Sequence, residues 1–126
     1  MVSEISGDHR VSSIEEFESI LMRRCGAQRV NEFWICPAGE RHPALAIMVR
    51  GDLACAHYFP RYREAGFLSQ GRVGGLSRSG MTWFQTRGES TRVPNHAVVR
   101  FVDALQAAKE FWYSKDLPKS IEWLEL

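Results

Sequence analysis

Residues 44–59 read ALAIMVRGDLACAHYF, two apolar seven-residue runs on either side of Gly51-Asp52. Both runs have strand composition, and a Gly-Asp pair between them is a two-residue hairpin signal. Such a turn fixes the register. Val49 then faces Ala54, Ile47 faces Ala56 and Leu45 faces Tyr58, which makes one apolar face. Met48 with Cys55 and Ala46 with His57 fall on the other face, which is also mostly apolar. A hairpin apolar on both sides belongs at the centre of a sheet covered from above and below.

The chain before this hairpin supplies one strand and one helix. Residues 32–36 (EFWIC) are aromatic and β-branched, and Pro37 ends the run. Ser13 and Glu16 have capping-box spacing, and Ile14, Phe17, Ile20, Leu21 and Arg24 follow the helical period, with Gly26 as the stop. Residues 1–11 read as a loose lead-in.

Beyond the hairpin, Pro60, Gly66, Gly71, Gly74, Gly75 and Gly80 mark residues 60–80 as loop, with a short strand at Phe67-Leu68. Residues 81–87 read as a strand, and Thr91 to Val93 and Ala97 to Val99 as short strands separated by Pro94. Phe101, Leu105, Ala108, Phe111 and Trp112 form the apolar stripe of a helix over residues 101–114, which Leu117-Pro118 stops. The final IEWLEL, residues 121–126, alternates as a terminal strand. This order gives an α+β class: a mainly antiparallel β-sheet with two α-helices packed on it, a single domain over residues 1–126.

Charge is nearly balanced, with 16 Lys and Arg against 15 acids, but it is unevenly placed. Residues 61–100 hold seven arginines, no lysine and two acids, net +5, between two mildly acidic ends. Arginine favours bidentate contact with carboxylate or phosphate. Cys25, Cys36 and Cys55 are odd in number and widely spaced, so no disulfide framework or CxxC pair is present. The N-terminal MVSEISGDHR lacks a signal-peptide core, and the longest strongly apolar run, Ala44 to Val49, is far shorter than a membrane span. A cytoplasmic protein with reduced thiols and no membrane association is expected.

Chemistry-bearing sets are sparse. Cys36, His42, Cys55 and His57 are the possible metal ligands, but they lack a ligand spacing, and neither a metal nor a cofactor is expected. Residues 75–80 (GLSRSG) match neither a nucleophile elbow nor a P-loop. A Cys–His pair such as Cys36 with His57 leaves a small hydrolase as one alternative. Arg61, Tyr62, Arg63, Arg72, Arg78 and Trp83 mix cations with aromatics, as single-strand nucleic-acid binders do, so a binding module on the Arg-rich 61–100 region is another. A sequence pI near 7.8 speaks against it.

Two stretches carry a family resemblance. Residues 104–126, ALQAAKEFWYSKDLPKSIEWLEL, run from an Ala-rich helix through Glu110-Phe111 to Leu117-Pro118 and Ile121-Glu122-Trp123. Residues 57–71, HYFPRYREAGFLSQG, hold a His-Tyr-Phe-Pro strand end followed by Gly-Phe-Leu-Ser. Together with the 44–59 hairpin they resemble immunity protein family one of bacterial polymorphic toxin systems. Where many members have Gly after the helix, Lys115-Asp116 stands here, and Asp can take the left-handed cap conformation. The resemblance implies a non-enzymatic protein that binds the C-terminal domain of a cognate secreted toxin, often a nucleic-acid deaminase, and occludes its active site or substrate channel. It implies a protein partner and no direct nucleic acid, with a monomer favoured. The expected toxin-binding residues are Tyr62, Arg63, Glu64, Arg72 and Arg78 in the loop zone. The acids Glu15 and Glu18 of the first helix are a competing surface, able to fill a basic nucleic-acid groove. Phe111, Trp112 and Trp123 are assigned to packing.

Overall fold

The computed structural model describes residues 1–4, 7–23, 31–86 and 88–126. In chain order the elements are β1 (Val2–Glu4), β2 (Gly7–His9), α1 (Ile14–Met22), β3 (Glu32–Ile35), β4 (Ala44–Arg50), β5 (Leu53–Phe59) and β6 (Phe67–Gln70). There follow β7 (Met81–Thr86), β8 (Glu89–Pro94), β9 (Val99–Arg100), α2 (Phe101–Ser114) and β10 (Glu122–Glu125). The main sheet runs β10-β6-β5-β4-β3-β1-β2, with β9 also paired to β5, and every pairing is antiparallel. The α+β class read from the sequence is the observed one.

The β4–β5 hairpin has the register that Gly51-Asp52 dictates, with Val49, Ile47 and Leu45 opposite Ala54, Ala56 and Tyr58. These six are buried with Phe33 and Ile35 of β3 beneath the two helices. Phe17, Ile20 and Leu21 of α1 and Phe101, Ala104, Ala108 and Phe111 of α2 fill the other side of that core. Alanines on α2 let its backbone approach the sheet closely; Leu105 and Trp112, expected in the stripe, sit half-buried at its margin.

Helix starts and stops follow local chemistry. Ser13 Oγ accepts from Glu16 N (3.2 Å), while the Glu16 carboxylate reaches back to Ser12 N (3.4 Å), one residue earlier than in the standard box. At its other end α1 closes with Arg23 N donating to Ile20 O. The expected residues Arg24, Cys25 and Gly26 lie outside the described residues. Beyond α2, Lys115 takes the left-handed cap (φ 55°, ψ 30°), a conformation that Asp116 was expected to be able to adopt. Lys115 N closes the helix on Phe111 O, and Asp116 instead accepts from Leu117 N through its carboxylate.

Two readings are corrected. The N-terminal lead-in is structured: β1 pairs with β3, and the side chain of Val2 is fully buried in the core. Nothing local announces this, because the partner strand lies thirty residues away in sequence. Ala97 to Val99 is not one strand either. Asn95–Ala97 forms a 3₁₀ turn, and β9 begins at Val99. The Asn95 side chain is held by Thr82 Oγ1 donating to its Oδ1 (2.5 Å) and by its own Nδ2 donating to Ser77 O (2.6 Å), so long-range hydrogen bonds set the turn.

β10 docks onto β6 with Trp123 opposite Ser69 and Leu124 opposite Leu68. Its approach is pinned by the Glu110 carboxylate, which accepts from Lys119 N (2.5 Å) and Ser120 N (3.1 Å). Trp123 Nε1 donates to Pro118 O (2.7 Å), and its ring lies 6.5 Å from that of Tyr58. Because Trp123 is half-buried, Trp123→Ala is expected to cost about 2–3 kcal/mol, below the roughly 3–5 of a fully enclosed aromatic. Urea unfolding of the variant measures it.

Candidate functional site

The helices cover one face of the sheet. On the other, the β7–β8 hairpin covers only part: Phe84 and Val93 pack with Cys55, Ala97 and Val98, against Met48, Leu53 and Leu68. The remaining area follows from register. Trp34 lies opposite Ala46, Ala46 opposite His57, His57 opposite Leu68 and Leu68 opposite Leu124. Directly opposed residues share a face, so these five form one row across β3, β4, β5, β6 and β10. Phe59, two residues on from His57, lies on that face opposite Ala44.

Small residues on β4 let the neighbouring rings lean together. Ala44 and Ala46 are buried, and Trp34 stacks on Phe59 across them with ring centres 5.6 Å apart and planes 17° apart. His57 stacks on the same Phe59 at 3.9 Å and 16°. The result is a run of three near-parallel rings. Its Trp34 end is exposed, and its floor holds no charged side chain; Glu32, beside it, accepts from Trp34 Nε1 (3.2 Å).

Loop 60–66 stands at the end of this platform. Tyr62 is 72% exposed, with the Arg63 guanidinium 5.3 Å from its ring centre and His42 edge-on at 6.2 Å. The loop is tied down at several points. The His57 ring bonds to Ala65 O (2.6 Å), Arg63 takes a left-handed φ of 65°, and Gly66 (φ 81°) runs against the Tyr58 carbonyl. Exposed Glu64 lines an open groove of about 580 Å³ with Pro60, Arg61, Phe67 and Glu125.

Arg72 and Arg78 lie at the other end of β6. They line a separate cleft of about 320 Å³ with Gln70, Ser77, Asn95, His96 and Glu122. Val73 and Leu76 of the same loop pack into the second-face cluster, so these arginines border the same side of the sheet as the ring stack. The expected loop residues therefore form two groups, separated by the length of β6, with the apolar row between them. Glu15 and Glu18 are elsewhere, on α1. Glu18 pairs with Lys109 of α2 (3.2 Å), which makes it a helix–helix tie.

The alternatives of the sequence fare as follows. Among the described residues His57 contacts Phe59 and Ala65, not a cysteine. Cys36 directly follows β3, and its backbone pairs with Met1. Cys55 is buried beneath the β7–β8 hairpin, and burial pushes its thiol up to about 11. A neutral, enclosed thiol is a poor nucleophile. Cys25 lies outside the described residues. Among the described residues no three of His, Cys, Asp and Glu come together as a metal site. Trp83 is on the outer side of β7 beside Arg92, apart from Tyr62 and Arg63. No helix is long and apolar enough to cross a membrane among the described residues.

Cys55 also makes stability depend on pH. Its folded value is raised from 9.0, so the stabilisation is fully present below pH 9 and is lost as pH rises to about 11. The expected loss is roughly 2–3 kcal/mol, at 1.36 kcal/mol per unit. Urea midpoints across this range, compared with Cys55→Ala, isolate it; equal slopes would remove the thiol as the cause.

Sequence reasoning missed Trp34, Phe59 and Leu124. The hairpin register already placed Ala46 beside His57, but the partners of β3 and β10 are set by long-range pairing. Among curated proteins none matches the chain. The family model of immunity protein Imm1 matches residues 6–125, nearly the whole length, and its span takes in the hairpin, the ring stack, both loops and the docked terminal strand. The chain belongs to the Imm1 immunity protein family.

Proposed function

We propose that this chain neutralises a cognate toxin by binding its C-terminal domain and occluding the active site or substrate channel, without catalysis of its own. Family membership over residues 6–125 carries this reading. The toxin we assign is a nucleic-acid deaminase, after the family resemblance of residues 57–71 and 104–126. The complex forms in the cytoplasm of the producing cell, one chain to one toxin domain. Tyr62, Arg63 and Glu64 at one end of β6, and Arg72 and Arg78 at the other, contribute to the contact.

The physics of self-protection asks for a long-lived complex. A standard interface buries about 1,600 Å², and the tightest immunity–nuclease pairs reach the practical ceiling of non-covalent affinity. Most of the affinity comes from a few aromatic or arginine side chains. A rigid loop presenting Tyr62 and Arg63 supplies such groups with little ordering left to be done on binding.

Co-expression with the toxin domain encoded beside this chain tests the proposal. Growth is restored, the two proteins co-purify, and deamination of single-stranded DNA falls to background at equimolar chain. Failure of rescue together with failure to co-purify overturns it. Rescue from a toxin with no deaminase activity would keep the inhibitor and discard the toxin class.

A further inference from the structure

Resting on that reading, we propose that the toxin is seated on the uncovered half of the second sheet face, and that the toxin surface seated there is apolar with carboxylates facing Arg61, Arg63, Arg72 and Arg78, at the rim of the substrate channel rather than in its basic nucleic-acid groove. This chain does not imitate nucleic acid.

The ring stack argues first. Trp34, Phe59 and His57 spend their inner faces on one another, at centre distances of 5.6 and 3.9 Å. Binding of nucleobases needs free ring faces. What this stack leaves open is ring edges and the outer side of Trp34, room for one base at most, continued by Leu68 and the 45%-exposed Leu124. Aliphatic and aromatic side chains of a protein fit such a surface.

Charge argues second. The frame at the two ends of β6 is mixed in charge: Arg61 and Arg63 stand with Glu64 and Glu125 at one end, and Arg72 and Arg78 with Glu122 at the other, so it does not present the run of acids that a basic groove would need. Among the described residues none of these arginines has an ion-pair partner. Guanidiniums of this kind pair with carboxylates in forked geometry. The competing acidic surface on α1 is by contrast largely spent. Glu16 reaches back to Ser12 at the helix start and Glu18 is tied to Lys109, which leaves Glu15. One free carboxylate does not make a phosphate backbone.

Calorimetry and association kinetics with the full chain and the toxin domain test this. Trp34→Ala and Tyr62→Ala are each expected to weaken Kd by about 30-fold or more, the range of central interface residues. Tyr62 is 72% exposed, so its variant keeps the wild-type melting temperature; Trp34 packs on Phe59 over Ala44 and Ala46, so its variant melts lower and its Kd is measured well below that melting temperature, where it is folded. The double variant Arg61→Glu/Arg63→Glu is expected to slow association about tenfold at low salt, and Glu15→Lys to stay within about twofold of wild type. Should Trp34→Ala and Tyr62→Ala bind like wild type while Glu15→Lys weakens the complex, the seat proposed here is wrong and the toxin-inhibitor reading stands. Absence of any complex with the wild-type chain overturns both. Capture of the wild-type chain, but not Trp34→Ala, on immobilised polythymidine would replace the protein occupant with single-stranded nucleic acid.

Discussion

Phe17→Ala is expected to lower the unfolding free energy by about 3–5 kcal/mol, the usual cost of emptying a fully enclosed phenylalanine site. Phe17 is fully buried in α1, and its ring lies 5.1 Å from that of Trp112 on α2. It packs into the same core as Leu21, Leu45 and Phe111. The site cannot collapse easily, because the sheet fixes the floor and Phe111 and Trp112 of α2 already pack around the ring. For a domain of this size the loss corresponds to a fall in melting temperature of roughly 12–20 °C. Phe17→Leu keeps most of the volume and should cost about 1 kcal/mol. Thermal and urea unfolding measure both, and a loss below about 1 kcal/mol for the alanine would mean that α1 is not a full partner in the core.

The second large effect concerns Gly66. A Cβ here would fall inside the van der Waals envelope of the Tyr58 carbonyl oxygen, at a φ of +81° that already disfavours a side chain. The neighbour is backbone and cannot rotate away. Relief requires moving β6 from β5, which strains the Tyr58–Phe67 pair and the Leu126 N to Gly66 O bond (2.9 Å). Gly66→Ala is expected to cost about 3 kcal/mol or more, since left-handed strain alone is about 1–2 and the backbone clash adds to it. Gly75→Ala provides the control. Its φ is also positive (+90°), yet nothing lies within 4 Å, so only the conformational part, about 1 kcal/mol, should appear. Equal losses at the two positions would show that the close approach to Tyr58 is unimportant. Because Gly66 ends the loop that holds Tyr62, the variant should also bind the toxin more weakly than its stability loss explains.

Fold and site were legible to different depths. The Gly51-Asp52 turn gave the β4–β5 register residue by residue, because a two-residue loop leaves no freedom in the pairing. Ser13, Glu16 and the apolar period gave α1, and the alanine-rich stripe with Leu117-Pro118 gave α2. These signals act within a few residues. β1 and the pairing of β10 with β6 had no such signal, since each depends on a partner far along the chain. The same limit hid the platform: Trp34 reads locally as one more strand aromatic. Only the antiparallel partners of β3 set it over Ala46 and against Phe59.

The sequence by itself determined the class, the central hairpin and its register, both helices and, through residues 57–71 and 104–126, the family. Turns, caps and periodicity are short-range physics and survive in the order of residues. Tertiary structure alone decided that the arginine loops stand at opposite ends of one strand, that Glu18 faces α2 and that three rings close into a stack on the uncovered sheet. Strand pairing between distant segments sets these neighbours, and local sequence does not encode distance.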